Sequence, residues 1–180
     1  CEAFFKKQLD LALSKKHVPI SQEVEFYLLN IMSMAFKVDP NSSSQSLAEK
    51  YLISNDKEST DELRIVGDLS LMIAGIWWQS LIRRLIDVDY YIKLGSQSYQ
   101  KASEVGPQRL SELFEELSEK FVDLVNVLIE ASQFISESKL RNSDILRMYE
   151  VWQKTHSTLL EAKLRSLGIN ITAVRSKLIQ

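Results

Sequence analysis

Apolar side chains recur every three or four residues along most of this 180-residue chain, and little interrupts the pattern. Only five glycines and three prolines are present, too few for the many turns of a β-sandwich or barrel. An apolar period of three to four residues is typical of helices that bury one face. The sequence therefore predicts an all-α fold, a single helical bundle over residues 1–180 with five to six main helices plus short ones.

Caps and breaks between the apolar stretches predict where each helix begins and ends. Ser21 and Ser59 are suitable N-caps, and Gly106-Pro107 has the order expected for a helix end followed by a helix start. The expected main helices cover residues 2–16, 21–37, 60–78 (or on to 84), 88–105, 110–136 and 143 or 144–167. Short helices are expected over residues 43–52 and 173–178.

Composition excludes several classes of protein. The net charge of −2 gives no electrostatic reason to bind nucleic acid or an anionic membrane. The longest apolar stretch, residues 69–78, is about ten residues and too short for a membrane span, which needs about 20. The chain is therefore expected to be soluble, without a nucleic-acid partner.

Charge is unevenly distributed in the second half of the chain. Residues 104–137 carry eight acidic and two basic side chains, whereas residues 139–180 carry eight basic and three acidic ones. Solvated helix faces are the interpretation that we favour, and a partner-binding patch is the alternative.

A single cysteine, Cys1, bears on the location of the protein. One cysteine cannot form a disulfide framework or a multi-cysteine metal site within the chain. A cytoplasmic location is expected. The alternative is a lipoprotein anchored through Cys1, although the apolar-periodic sequence that follows it offers no flexible tether.

The segment over residues 67–99 differs from ordinary bundle sequence because it places glycines inside two predicted helices. A glycine inside a helix costs about 1 kcal/mol relative to alanine, so a packing reason is expected. Two stripes of small residues supply one, since they would let the two helix backbones approach closely. One stripe is Gly67, Ser70 and Ala74, and the other is Gly95, Ser98 and Ala102.

Asp68 lies in the apolar stretch of the same segment and is expected to be at least partly buried. A buried carboxylate needs a cation or several hydrogen-bond donors. We favour a structural polar network that ties the third main helix to the fourth, and the alternative is a ligand pocket. The candidate partners in either case are Arg83, Arg84, Tyr90, Tyr91 and Tyr99.

Two adjacent tryptophans, Trp77 and Trp78, point about 100° apart on a helix. One of them is therefore expected in the core and the other at its boundary. A partly exposed tryptophan beside Arg83 would alternatively bind a partner or ligand, and Trp78 is a candidate for that role.

The same segment resembles an uncharacterised family of bacterial all-helical proteins. The matching positions, about a fifth of the chain, are Gly67, Asp68, Gly75, Trp77, Trp78, Arg83, Arg84, Tyr90, Tyr91, Gly95 and Tyr99. The chain differs where such proteins have Phe-Phe-Pro-Glu and it has Trp77-Trp78-Gln79-Ser80. The resemblance implies a helical fold and no assigned activity.

Motifs for catalysis are missing from the sequence. His17 and His156 lie far apart, and neither belongs to a Glu-x-x-His pair of the kind found in di-iron bundles, so no metal or cofactor is expected. His156, on the apolar stripe of the last main helix, is interpreted as a core or boundary residue. No phosphate-binding loop or nucleophile elbow is present. The sequence favours a protein that is not an enzyme.

The functional prediction is a non-catalytic cytoplasmic protein that acts through protein–protein contacts, with itself or with another protein. The observation behind it is that the chain has more bulky apolar residues than a single small bundle is expected to bury. The alternative is a small-molecule-binding bundle with a pocket near Asp68, Arg83, Arg84 and Tyr91.

Overall fold

The computed structural model describes residues 2–37, 59–83, 87–133 and 142–171, and these residues form only helices and their connections. In chain order the helices are α1 (Glu2–Lys16), α2 (Gln22–Ala35), α3 (Thr60–Leu71), a π-helical turn (Met72–Ile76), α4 (Trp78–Arg83), α5 (Val88–Val105), α6 (Gln108–Glu119), α7 (Phe121–Ser132), α8 (Asn142–Thr155) and α9 (Thr158–Ser166). The predicted all-α fold is confirmed. The short helices predicted over residues 43–52 and 173–178 lie outside the described residues.

Helix α7 lies at the centre of the hydrophobic core. Most of its side chains are buried on every side, because α1, the π-helical turn and α5 all pack against it. A helix that is apolar nearly all round is expected in such a central position. None of the helices in the described ranges combines the length and apolar character needed to cross a membrane.

Helices α3 and α5 make the most extensive contact of the described helices, and small residues form it. Ser70, Ala74, Ser98 and Ala102 are fully buried. A Cβ atom on Gly95 would lie 2.7 Å from the Cβ atom of Ser70, so the two backbones approach as closely as the side chains permit. The predicted close approach of the two small-residue stripes is confirmed.

The predicted helix over residues 60–78 is interrupted. After α3 the chain widens into the π-helical turn, in which the amide of Trp77 donates to the carbonyl of Met72, five residues earlier. A Cβ atom on Gly75 would lie 2.8 Å from the Cβ atom of Leu128 in α7. The turn thus brings backbone against the central helix at a position where only glycine fits without displacing a neighbour.

The predicted helix over residues 110–136 is divided at Lys120. The Lys120 ammonium donates to the carbonyl of Pro19 (2.6 Å) and to the carboxylate of Glu116 (2.9 Å), and Glu116 also accepts from the amide of Ser21 (2.9 Å). Burial alone would raise the pKa of Glu116, but these bonds outweigh it and hold the pKa below its ordinary value. The residue at which the predicted helix is divided is therefore hydrogen-bonded to the α1–α2 connection, about 100 residues earlier in the chain.

The predicted helix over residues 143–167 is divided at His156, which adopts a left-handed conformation (φ 52°). His156, predicted to be a core or boundary residue, is not in the core: its side chain is exposed at the end of α8, and its ring contacts the buried Trp152 edge-on, with 5.9 Å between centroids. Ser157 then begins α9: its hydroxyl accepts from the amide of Leu160 (3.4 Å) and donates to the carboxylate of Asp89 in α5 (2.9 Å).

Replacing Ser157 by alanine is expected to lower the free energy of unfolding by about 1–2 kcal/mol, because it removes a helix cap and a hydrogen bond to a carboxylate. Urea unfolding followed by circular dichroism measures the change. The matched control is Thr158→Ala, the next residue, whose side chain is exposed. Equal stability of the two variants would contradict the role assigned to Ser157.

Candidate functional site

A polar cluster within the helical core joins three helices through the carboxylate of Asp68. The hydroxyls of Tyr27 in α2 and Tyr99 in α5 both donate to Oδ1 of Asp68, over 2.6 and 2.7 Å. Asp68 is buried, and the Tyr99 side chain is fully enclosed. We call these three residues the Asp68 cluster.

Tight packing holds Tyr99 in place within the Asp68 cluster. A Cβ atom on Gly67 would lie 2.5 Å from the Tyr99 ring, so the missing side chain of Gly67 creates the space for that ring. Two aromatic rings also contact the Tyr99 ring. Phe114 stacks on it with 5.9 Å between ring centroids, and Phe121 lies at the same distance. This packing therefore fixes the position of the Tyr99 hydroxyl.

Burial shifts the protonation equilibria of all three groups in the Asp68 cluster towards the neutral form. Burial raises the pKa of Asp68, and the hydrogen bonds from Tyr27 and Tyr99 and the charge of Arg64 offset part of the rise. Burial, together with the Asp68 charge, also raises the pKa of both tyrosines well above the ordinary value. Both phenols consequently remain donors at neutral pH.

Of the other predicted site residues, those that the structure describes lie away from Asp68. Tyr91 lies two turns from Tyr99 on α5, about 12 Å along the helix axis. It is buried, and the exposed ring of Tyr90 contacts it edge-on at 5.2 Å. Arg84 and the side chain of Arg83 lie outside the described part of the chain.

Trp78 also lies apart from the Asp68 cluster. It is buried in α4, while Trp77 is partly exposed, so the prediction of one core and one boundary tryptophan is confirmed. The ammonium of Lys163 in α9 lies over the Trp78 ring, 5.5 Å from its centroid, within the range of a cation–π contact. Trp78 thus contacts a lysine of α9, which the sequence did not suggest.

Tyr27 is the member of the Asp68 cluster that is not among the predicted partners. The predicted partners all lie within about 31 residues of Asp68 on its C-terminal side, whereas Tyr27 precedes it by 41 residues. A signal was present, because Tyr27 follows Val24 by three residues and precedes Ile31 by four, which places it on the buried face of α2. Arg64, one turn before Asp68, is likewise the cation that acts on the carboxylate.

The described residues include no cluster of side chains suited to bind a metal ion. In residues 2–37, 59–83, 87–133 and 142–171, no three histidine, cysteine, aspartate or glutamate side chains are grouped to hold a metal ion. In the Asp68 cluster both tyrosine hydroxyls donate to the same carboxylate oxygen, Oδ1 of Asp68. What it can do chemically is to fix α2, α3 and α5 relative to one another.

Comparison with known proteins adds no relative. No protein-family model, no curated protein and no solved structure matches this chain. The resemblance over residues 67–99 to an uncharacterised bacterial family stays a prediction.

An apolar surface on α1 and α2 is the second candidate site. The rings of Phe4 and Phe36 are about half exposed (46% and 49%), and both contact the buried ring of Phe5, at 6.1 and 4.8 Å between centroids. We call Phe4 and Phe36 the phenylalanine surface.

Proposed function

We propose that this protein is a non-catalytic cytoplasmic helical protein that acts through protein–protein contact, and that a second copy of the chain binds its phenylalanine surface. The observation that carries the proposal is that two half-exposed phenylalanines, Phe4 and Phe36, both contact the buried ring of Phe5. Clusters of exposed aromatic side chains are typical of interaction sites. The cytoplasmic location rests on the single cysteine, which leaves no disulfide framework within the chain.

The alternative, a small-molecule pocket near Asp68, Arg83, Arg84 and Tyr91, has less support. The Tyr99 ring fills the space beside Gly67, and both tyrosine hydroxyls donate to the carboxylate of Asp68. Tyr91 lies two helical turns away. The arrangement supports a structural role for the Asp68 cluster, which would hold α2 in place and with it the position of Phe36.

Light scattering coupled to size-exclusion chromatography tests the proposed contact. The native chain is expected to be a dimer at micromolar concentration, and Phe36→Ser is expected to weaken the dimer by about tenfold or more, since one well-buried aromatic contributes about 2 kcal/mol at an interface. The matched control is Phe26→Ser, because Phe26 lies within α2, about 15 Å before Phe36 along the helix axis, and is more exposed still (63%).

Two results would contradict the proposal. One is a native chain that stays monomeric throughout the micromolar range. The other is a dimer that Phe26→Ser weakens as much as Phe36→Ser does, since that would place the contact elsewhere or make it unspecific.

A further inference from the structure

A cleft opens where the end of α1, the second half of α7 and the length of α9 meet. Its volume is about 370 Å³, within the range of small-molecule sites. Apolar side chains of Ile129, Leu159, Ala162 and Leu167 line part of it, and amide and hydroxyl groups line another part. The cleft therefore offers both an apolar wall and hydrogen-bonding groups.

The charged residues of the cleft are mostly basic. Among its described lining residues, Lys15, Lys16 and Lys163 are cationic and Glu130 is the single acid, a local net charge of +2 in a protein whose own net charge is −2. Glu130 forms an ion pair with Lys15 (2.6 Å) and a longer one with Lys16 (3.9 Å). The carboxylate of Glu130 thus offsets only part of the charge of the three ammonium groups.

Lys163 is the most constrained of the three lysines. It is about half buried, and its ammonium lies over the ring of Trp78, whereas the Lys15 side chain is largely exposed. Burial lowers the pKa of Lys163, Glu130 acts in the opposite direction, and Lys16 and Lys15 lower the pKa further. An additional negative charge in the cleft would relieve this repulsion between like charges.

We propose that this cleft binds a small organic dianion, in which a phosphate monoester or a pair of carboxylates contacts Lys15, Lys16 and Lys163 and an apolar body rests on Ile129 and Leu159. The net charge of the lining matches a dianion, and the apolar wall favours an organic molecule over a free inorganic ion. This site lies on α1, α7 and α9, and it is independent of the protein–protein contact proposed for the phenylalanine surface.

Phenyl phosphate is a suitable probe because it joins a dianion to an apolar ring. Its binding is measured by isothermal titration calorimetry and by tryptophan fluorescence, to which Trp78 contributes. Phenol, which has the ring without the charge, and inorganic phosphate, which has the charge without the ring, are both expected to bind at least about tenfold more weakly, since each lacks about 1.4 kcal/mol or more of contact.

Charge variants test which residues are responsible. Lys163→Gln is expected to weaken phenyl phosphate binding by about tenfold, equivalent to the loss of one charged contact. Glu130→Gln is expected to strengthen binding several-fold, because it releases Lys15 and Lys16 and raises the local charge. Lys93→Gln, which removes an exposed lysine on α5 outside the cleft, is the matched control and is expected to leave binding unchanged.

The proposal is overturned if phenyl phosphate does not bind at millimolar concentration, or if Lys163→Gln and Lys93→Gln bind it alike. Binding that Glu130→Gln fails to strengthen would equally contradict it. Circular dichroism melts show whether each variant is folded. If Lys163→Gln does not fold, the double variant Lys15→Gln/Lys16→Gln replaces it, and unchanged binding by that variant would overturn the proposal.

Discussion

Replacing Asp68 by alanine is expected to lower the free energy of unfolding by about 3 kcal/mol, because two tyrosine hydroxyls lose their acceptor. Tyr99 is fully buried and Tyr27 partly so, and an unsatisfied buried donor costs about 1–3 kcal/mol. Removing the buried carboxylate recovers some free energy, since that group is itself costly to bury. Urea unfolding measures the net change.

Asp68→Asn is the matched control for this prediction. Asparagine keeps a carbonyl oxygen that can accept from Tyr27 and Tyr99, so the variant is expected to retain most of the stability that Asp68→Ala loses. If Asp68→Ala is as stable as the native protein, the Asp68 cluster does not hold the three helices together.

The stability of the native chain is also expected to depend on the ionisation of Asp68. Burial raises the pKa of Asp68 in the folded protein. The stability that arises from this raised pKa is therefore fully present below the unfolded pKa of about 3.9. It is lost as pH rises through the folded pKa, because the carboxyl group must then be ionised while it is buried. The stability of Asp68→Asn relative to the native chain should therefore increase as pH rises through that window and then level off. A constant difference between pH 4 and pH 8 would contradict this.

Replacing Gly95 by alanine is expected to lower the free energy of unfolding by about 2 kcal/mol, although alanine is the better helix former by about 1 kcal/mol. The added Cβ atom would lie 2.3 Å from the Phe121 ring and 2.7 Å from the Cβ atom of Ser70. Phe121 is a fully buried ring and cannot turn aside, so α5 must move away from α3 and α7. Thermal and urea unfolding measure the loss.

A second substitution identifies the cause of that loss. In a Phe121→Leu background the ring that the new Cβ atom meets is gone, and Gly95→Ala is expected to cost less than in the native chain. Gln97→Ala, on the exposed face of the same helix, is the control for a change to alanine and should leave stability nearly unchanged. Equal costs of Gly95→Ala in both backgrounds would assign the effect to something other than the approach of Phe121.

The Asp68 cluster was only partly predictable from the sequence. An aspartate in an apolar stretch requires donors, and Tyr99 was among those expected, because it is one of the donors nearest to Asp68 in the chain. Tyr27 was missed because nothing local links α2 to α3. The contact with Trp78 was missed for the same reason, since Lys163 belongs to a helix 85 residues further along the chain.

The sequence by itself determined the helical class, the bounds of α1, α2 and α5 to within two residues, and the close approach of α3 and α5. These properties depend on interactions within about four residues, namely the apolar period, the capping side chains and the absence of a Cβ atom. Only the tertiary structure decided where the long predicted helices break. Lys120 reaches the carbonyl of Pro19, and Ser157 binds Asp89. Partners so distant in the chain meet only after the helices have packed, so no local pattern encodes them.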